Sequence, residues 1–335
     1  MKMRQISIAF QTDKTPQEYI ALAKQVNQYD FDVVSVYCDA PYQPSYGPLL
    51  LMAPHLQRAR LGPAAVSPFR MHPIDIAANT ALLAGLAQGG VYIGLARGAW
   101  LTEHGICEPQ QPLQGMREAA QIIKNLLAGE SAGLAGRVFQ VAEHVRAPYP
   151  LPTEQPPLMI GTWGSKLAAL AGEIAAELKI GGSANPALVP WMQAQLQPGE
   201  QKAGRPAGSV KLVIGAVTVV DEDRQYARQV AKRAVALYLP VVAGLDPTVH
   251  LDPELLRQIE TALHQGQPDQ AAALISDDLL SIFAFAGNPA DLVEQAEKLF
   301  EAGVGRIEFG TPHGLPPEKG LDLLGQQVLP QLKGD

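Results

Sequence analysis

The chain has 335 residues, 47% of them hydrophobic and 18% charged, which is ample for a large buried core. Its formal charge of −7, without any block of Lys/Arg, argues against nucleic acid or an anionic membrane surface as a partner. No window approaches the roughly 18 uninterrupted apolar residues of a membrane span, so a soluble protein is expected.

The N-terminal run MKMRQISIAFQTDK is too short and too polar for a secretory signal, and a cytoplasmic location is expected. It contains the first of eight short β-branched or aliphatic runs, Ile6 to Phe10. The others are Val33 to Tyr37, Ala59 to Val66, Val91 to Ala96, Leu158 to Trp163, Glu177 to Gly181, Leu212 to Val220 and Arg306 to Gly310. Segments with apolar residues every three or four positions lie between them. They cover 16–29, 74–86, 113–127, 165–176, 224–239 and 289–302. Thr15-Pro16, Asn185-Pro186 and Asn288-Pro289 each read as a cap followed by proline at the first helical position.

Eight strands alternating with helices predict parallel pairing through right-handed crossovers, and hence a (β/α)8 barrel. A doubly wound open sheet is the alternative, but AFQTDKT follows the first strand where a GxGxxG fingerprint would stand. Two stretches exceed a minimal barrel. Residues 129–157, rich in Gly and Pro, predict a hairpin and an extended loop, and residues 245–285 predict two or three extra helices. Neither reads as a domain, so a single domain over 1–335 is expected.

Active sites of such barrels sit at the C-terminal ends of the strands, so the residues after each run are the candidates. After the fifth strand, Gly161-Thr162-Trp163-Gly164-Ser165-Lys166 sets small residues before a helix start, whose free amides and dipole favour a phosphate. Gly181, Gly182 and Ser183 after the sixth could supply further donors; the bland alternative for both is a tight turn. Gly62 to Ala65 leave room for a planar ring, or are barrel packing. His72 reads as a capping residue. Asp39 is a candidate acid or base, or an ordinary loop aspartate. His313 either meets substrate or ends the last strand. Glu103, His104 and Glu108 form a loose polar cluster. The two cysteines, Cys38 and Cys107, form no CxxC pair and no metal-ligand spacing, so reduced thiols and no metal site are expected.

The segments LGPAAVSPFRMHPIDIAANTALLAGLAQGGVYIGLARG, REAAQIIKNLLAGE, IGTWGSKLAALAGEIAAELKIGGSANP and FAGNPADLVEQAEKLFEAGVGRIEFGTPHG occur in the order of the bacterial-luciferase-like superfamily. Together they resemble its branch typified by methylenetetrahydromethanopterin reductase, which uses the deazaflavin coenzyme F420. The resemblance implies a barrel with the deazaflavin, or alternatively FMN, in its mouth. It also implies a non-prolyl cis peptide within Ala64 to Val66 beneath the ring, with Gly94 and Thr311 in the cofactor site and the phosphate at Gly161 to Lys166, Gly182 and Ser183. A homodimer and a small-molecule substrate are implied as well.

The chain departs from the family pattern at three places. Asp39-Ala40 replaces an Asp-His pair, Ala9 stands where some reductases carry glutamate, and Gly94-Leu95-Ala96-Arg97-Gly98-Ala99 lacks a carboxylate. Three functions follow as alternatives: hydride transfer with F420, an FMN-dependent monooxygenase, and a non-catalytic flavin-binding homologue. Asp39 is the mouth carboxylate left at a matching position. Arg97 reverses the usual charge there, and is read either as a catalytic cation that stabilises a reduced, anionic ring or an acidic substrate, with Trp100 walling the pocket, or as a surface residue paired with Glu103 or Glu108.

Overall fold

The computed structural model describes residues 4–99 and 101–334. All eight expected strands are present: β1 (Gln5–Phe10), β2 (Val33–Val36), β3 (Arg60–Pro63), β4 (Ile93–Ala96), β5 (Leu158–Gly161), β6 (Glu177–Gly181), β7 (Lys211–Val220) and β8 (Arg306–His313). Helices separate them in the succession of a (β/α)8 barrel. The chain divides into two compact units, one of residues 9–178 and 196–210, the other of residues 1–8, 179–195 and 211–335.

The first unit carries β2 to β5. β2 and β3 pair in parallel from Val33–Arg60 to Val36–Pro63, and β4 and β5 from Ile93–Leu158 to Ala96–Gly161. Parallel bridges at Leu61–Val91 and Val66–Leu95 join β3 to β4. The strands are buried along almost their whole length, as their apolar runs require. Helix Pro16–Val26 opens with a reciprocal capping box between Thr15 and Glu18. The predicted hairpin pairs Leu134–Ala135 with Gln140–Val141.

Three helices of this unit meet at Glu173, which pairs with Arg117 through both carboxylate oxygens and with Lys202 at 2.9 Å. The Arg117 hydrogen bonds hold the Glu173 carboxyl down at about 2, against its partial burial, with Lys202 adding to the effect. The folded pKa is depressed, so the stabilisation is present above the unfolded value of 4.5 and is lost as pH falls toward 2. Glu173→Gln should therefore cost about 2 kcal/mol at neutral pH, after allowance for its 19% exposed side chain. Urea unfolding across pH checks this, and the difference from wild type should close near pH 2.

In the second unit β8 pairs with β1 from Gln5–Arg306 to Ile8–Phe309, and with β7 from Arg306–Val213 onward. Its interior is charged: Lys179 is bonded to Glu308, Arg306 NH1 lies 3.7 Å from Glu308, and all three are buried, as is Ser7 beside them. The insertion contains three helices, Pro253–His264, Pro268–Ala273 and Asp277–Phe283. Their apolar faces share one core with helix Arg224–Ala236, where Val230 and Ala231 meet Ile259, Ala271 and Leu279.

Two local expectations need correction. Ala284–Gly287, whose first two residues fall in the stretch expected to be helical, is a strand paired with Val217–Val220, because β7 is ten residues long and its end takes a second partner besides β8. Asn185 keeps a cap-type bond, its Oδ1 accepting from Ala187 N at 3.0 Å, but the regular helix begins later than expected, at Leu188–Lys202. Its amide nitrogen also reaches Asp246, 3.0 Å, and Thr248, 2.9 Å, tying the turn to the insertion. At Asn288 the expectation holds, with a capping box to Asp291 opening helix Pro289–Ala302.

Candidate active site

The C-terminal ends of β3, β4 and β5 form a floor of small residues. The Ala64–Ala65 peptide is cis, within the segment that the resemblance implied. Its flanks are fixed by backbone bonds: Ala64 N donates to Val36 O at 2.8 Å, Val66 N to Gly94 O at 3.0 Å, and Ala96 N to Val66 O at 2.9 Å. Ala64 and Ala65 pack on Val33, Tyr92 and Met159. The Tyr92 hydroxyl lies 2.9 Å from both Ser35 Oγ and Gly62 O, so the layer beneath the floor is locked by a satisfied polar group.

Gly94 and Gly161 are small for different reasons. A Cβ on Gly94 would fall 1.8 Å from the Pro63 carbonyl oxygen, so glycine there is what lets β3 and β4 approach, a packing reason rather than a ligand contact. A Cβ on Gly161 would meet the Ala96 and Ala65 methyl groups at 3.5 and 3.9 Å and the Leu95 carbonyl oxygen at 3.9 Å, all ordinary contacts. Ala65, Ala96 and Gly161 thus surround one half-buried space that a single extra methyl would begin to fill.

Beyond the floor, the chain turns into helix Ser165–Ile174. Gly164 N donates to Thr162 Oγ1 at 2.9 Å, but Gly164 has no side chain to cap the helix. The first-turn amides of Ser165 and Lys166 remain as donors, beside the exposed Lys166 ammonium. Trp163 and Thr162 are half-buried at this turn.

The loop after β6, in the other unit, departs from expectation. Gly182 N and Ser183 N both donate to Gly215 O, at 2.7 and 3.2 Å, Ala184 N to Ile282 O at 2.7 Å, and Asn185 N to Ser183 Oγ at 3.1 Å. The donors foreseen at Gly182 and Ser183 are already engaged by the long β7 and the insertion. At the end of β8, Thr311 is half-buried and its bond to Pro312 is cis. His313 is buried at φ 69°, with Nε2 3.3 Å from Phe309 O, so it turns back on the strand and ends it.

The remaining candidates lie at strand ends of the first unit. Asp39 is half-buried between Cys38 and the cis Ala40–Pro41 bond, and Arg70 donates to the Cys38 carbonyl at 3.4 Å. His72 caps helix Pro73–Ala84 by accepting from Ile74 N at 3.2 Å. Arg97 NH1 stands 3.6 Å from Glu108, with both side chains about half exposed. Glu103 and His104 are exposed, and Trp100 lies outside the described residues.

Two contributors carry no signal in the sequence. Buried Ser67 donates its hydroxyl to Arg97 O at 2.6 Å. Glu118 accepts the amides of Arg137, Val138 and Phe139, docking the hairpin so that Phe139 stacks on Phe69 and meets His72 edge-on. Both act across more than 18 residues of chain, where no local pattern exists.

Residues 4–306 match the family of luciferase-like monooxygenases. A 5,10-methylenetetrahydromethanopterin reductase of Archaeoglobus fulgidus is 28% identical over 297 residues, covering 86% of this chain and 87% of that protein. The solved structure of a coenzyme F420 dependent tetrahydromethanopterin reductase from Methanopyrus kandleri superposes with a TM-score of 0.91 at 25% identity, over 99% of this chain and 100% of that one. An F420-dependent secondary alcohol dehydrogenase shares the fold, with a TM-score of 0.79 at 19% identity over 98% and 99% of the two chains. No described helix is long and apolar enough to cross a membrane.

Proposed function

This chain belongs to the luciferase-like monooxygenase family, and from that premise we propose that it is an F420-dependent oxidoreductase passing a hydride between the deazaflavin and a carbon centre of a small organic substrate. The observation that carries the reading is the floor of Ala65, Ala96 and Gly161, which leaves room for a planar ring, next to an uncapped helix start suited to a phosphate. A deazaflavin has both parts, and supplies the two-electron hydride chemistry when bound.

In this reading Ala64, Ala65 and Val66 support the ring, with Gly94 letting the strands close beneath it. Gly161 to Gly164, with the Ser165 and Lys166 amides, take the phosphate side. In the other unit, Thr311 is kept as a cofactor candidate, whereas the amides of Gly182 and Ser183 are held by the Gly215 carbonyl. Hydride transfer depends chiefly on alignment of the two carbons, so a site with few acid–base groups suffices. Asp39 is the residue assigned to hold or move a proton on the substrate. The whole chain acts as one domain, and a cytoplasmic homodimer is part of the same proposal.

Fluorescence-quenching titrations with F420 and with FMN test the reading. Saturable F420 binding, weakened by enlarging Gly161 to alanine, is expected. Tight FMN binding without any response to F420 would favour the monooxygenase alternative, and binding of neither would leave a non-catalytic homologue. Asp39→Asn is expected to lower kcat about 100-fold at unchanged cofactor affinity.

A further inference from the structure

We propose that Arg97 determines substrate class: its guanidinium recruits a carboxylate of the substrate at the rim of the small-residue floor, in exchange for Glu108. The inference rests on the oxidoreductase reading above and names the kind of substrate it takes.

The backbone of Arg97 is firmly held while its head group is not. Ala96 N is bonded to Val66 O at 2.9 Å, and Arg97 O accepts from buried Ser67 at 2.6 Å. Gly98 then turns the chain at φ 105°, a left-handed conformation that residues with a Cβ rarely adopt, and its α-carbon faces Ser67 and Leu101. The Arg97 α-carbon is therefore fixed one residue beyond Ala96, whose methyl borders the floor.

The guanidinium Nη1 stands 3.6 Å from Glu108 Oε2, beyond hydrogen-bond range. Both side chains are about half exposed, and Glu108 lies in irregular chain ahead of helix Pro112–Leu127. An exposed pair of this kind contributes little and separates at little cost. A carboxylate arriving at the floor can offer two oxygens to the planar fork of N–H donors, a geometry that Glu108 does not achieve. Arg70 and Lys166, both exposed, follow β3 and β5, so each of three consecutive strands is followed by a cation that favours an anionic visitor.

The test compares methylenetetrahydrofolate with its glutamate diethyl ester on the F420-loaded protein; the two share a reacting ring and differ only in free or masked carboxylates. The wild type should bind the free acid about tenfold more tightly, and Arg97→Ala should abolish that preference while leaving ester and F420 affinities unchanged. Arg97→Lys should restore part of it, and Glu108→Gln should tighten the free acid by removing the competitor. A preference that survives Arg97→Ala overturns the inference, and a loss of F420 affinity in that variant overturns it by assigning the arginine to the cofactor.

Glutarate, titrated into the same protein, needs no pterin ring. Binding weakened about tenfold by Arg97→Ala supports the proposal even if neither folate binds, and a wild type indifferent to glutarate and to esterification contradicts it. Failure of the wild type to bind F420 at all would instead strike the oxidoreductase reading, and the two results are read separately.

Discussion

Gly94→Ala is expected to cost about 3 kcal/mol of stability or more, and to remove cofactor binding with it. The added Cβ would stand 1.8 Å from the Pro63 carbonyl oxygen, 3.0 Å from its carbon and 3.2 Å from Met159 Cε. The first two are backbone atoms, so no rotamer change relieves the overlap. β3 and β4 would have to part, breaking the bonds between Val66 and Gly94 and between Ala96 and Val66 that fix the floor. Urea unfolding measures the loss. Gly161→Ala is the control: its methyl finds ordinary contacts at 3.5 and 3.9 Å, so it should fold within about 0.5 kcal/mol of wild type and lose ring affinity alone. Equal stability of the two variants would show that the close approach at Gly94 does not govern the strand spacing.

Glu118→Ala should destabilise by roughly 3 kcal/mol, because one buried carboxylate serves the whole hairpin tip. Its oxygens accept Arg137 N and Val138 N at 2.8 and 2.9 Å, Phe139 N at 2.8 Å and the Gln114 amide at 2.8 Å. With only 3% of Glu118 exposed, water is a poor replacement. Glu118→Gln is expected to be nearly as harmful, since an NH2 group would face an amide donor. Burial pushes the Glu118 carboxyl up, yet the hydrogen bonds from Phe139, Gln114, Arg137 and Val138 outweigh it and hold the pKa below the ordinary 4.5. Stabilisation is therefore complete above that value and is lost as pH falls below it. Proteolysis within 129–147 at neutral pH gives a local readout, and unchanged protection in Glu118→Ala would contradict the docking role.

Most of the fold is legible because its signals are local. Val33 to Val36 and Leu212 to Val220 are β-branched runs that a buried parallel strand selects, and Thr15-Pro16 and Asn288-Pro289 are caps whose partners lie three residues away. Ala284–Gly287 escapes the same reading because its strand character comes from pairing with Val217–Val220 at the end of β7, more than sixty residues earlier. Asn185 carries a cap signature that its Oδ1 honours at Ala187 N, and what the sequence leaves hidden is the bond from its amide nitrogen to Asp246.

The site divides along the same line. Ser165-Lys166 reads correctly as the opening of a helix, since that is a property of adjacent residues, while the lack of a side-chain cap at Gly164 is seen only in the structure. The amides of Gly182 and Ser183 read as free because nothing in their own stretch reveals the Gly215 carbonyl. Gly94 illustrates a further limit: sequence shows that a side chain is missing, and only the structure shows that the Pro63 carbonyl occupies the place.

The central claim is that the small-residue floor aligns a deazaflavin for hydride transfer. Its most direct test is anaerobic: the oxidised F420-loaded protein is mixed with a methyl-tetrahydropterin donor, and the deazaflavin absorbance is followed in a single turnover. The account predicts bleaching that goes to completion without oxygen and slows sharply in Gly161→Ala. A protein that leaves F420 untouched, but inserts oxygen into a substrate when supplied with reduced FMN and oxygen, would contradict it.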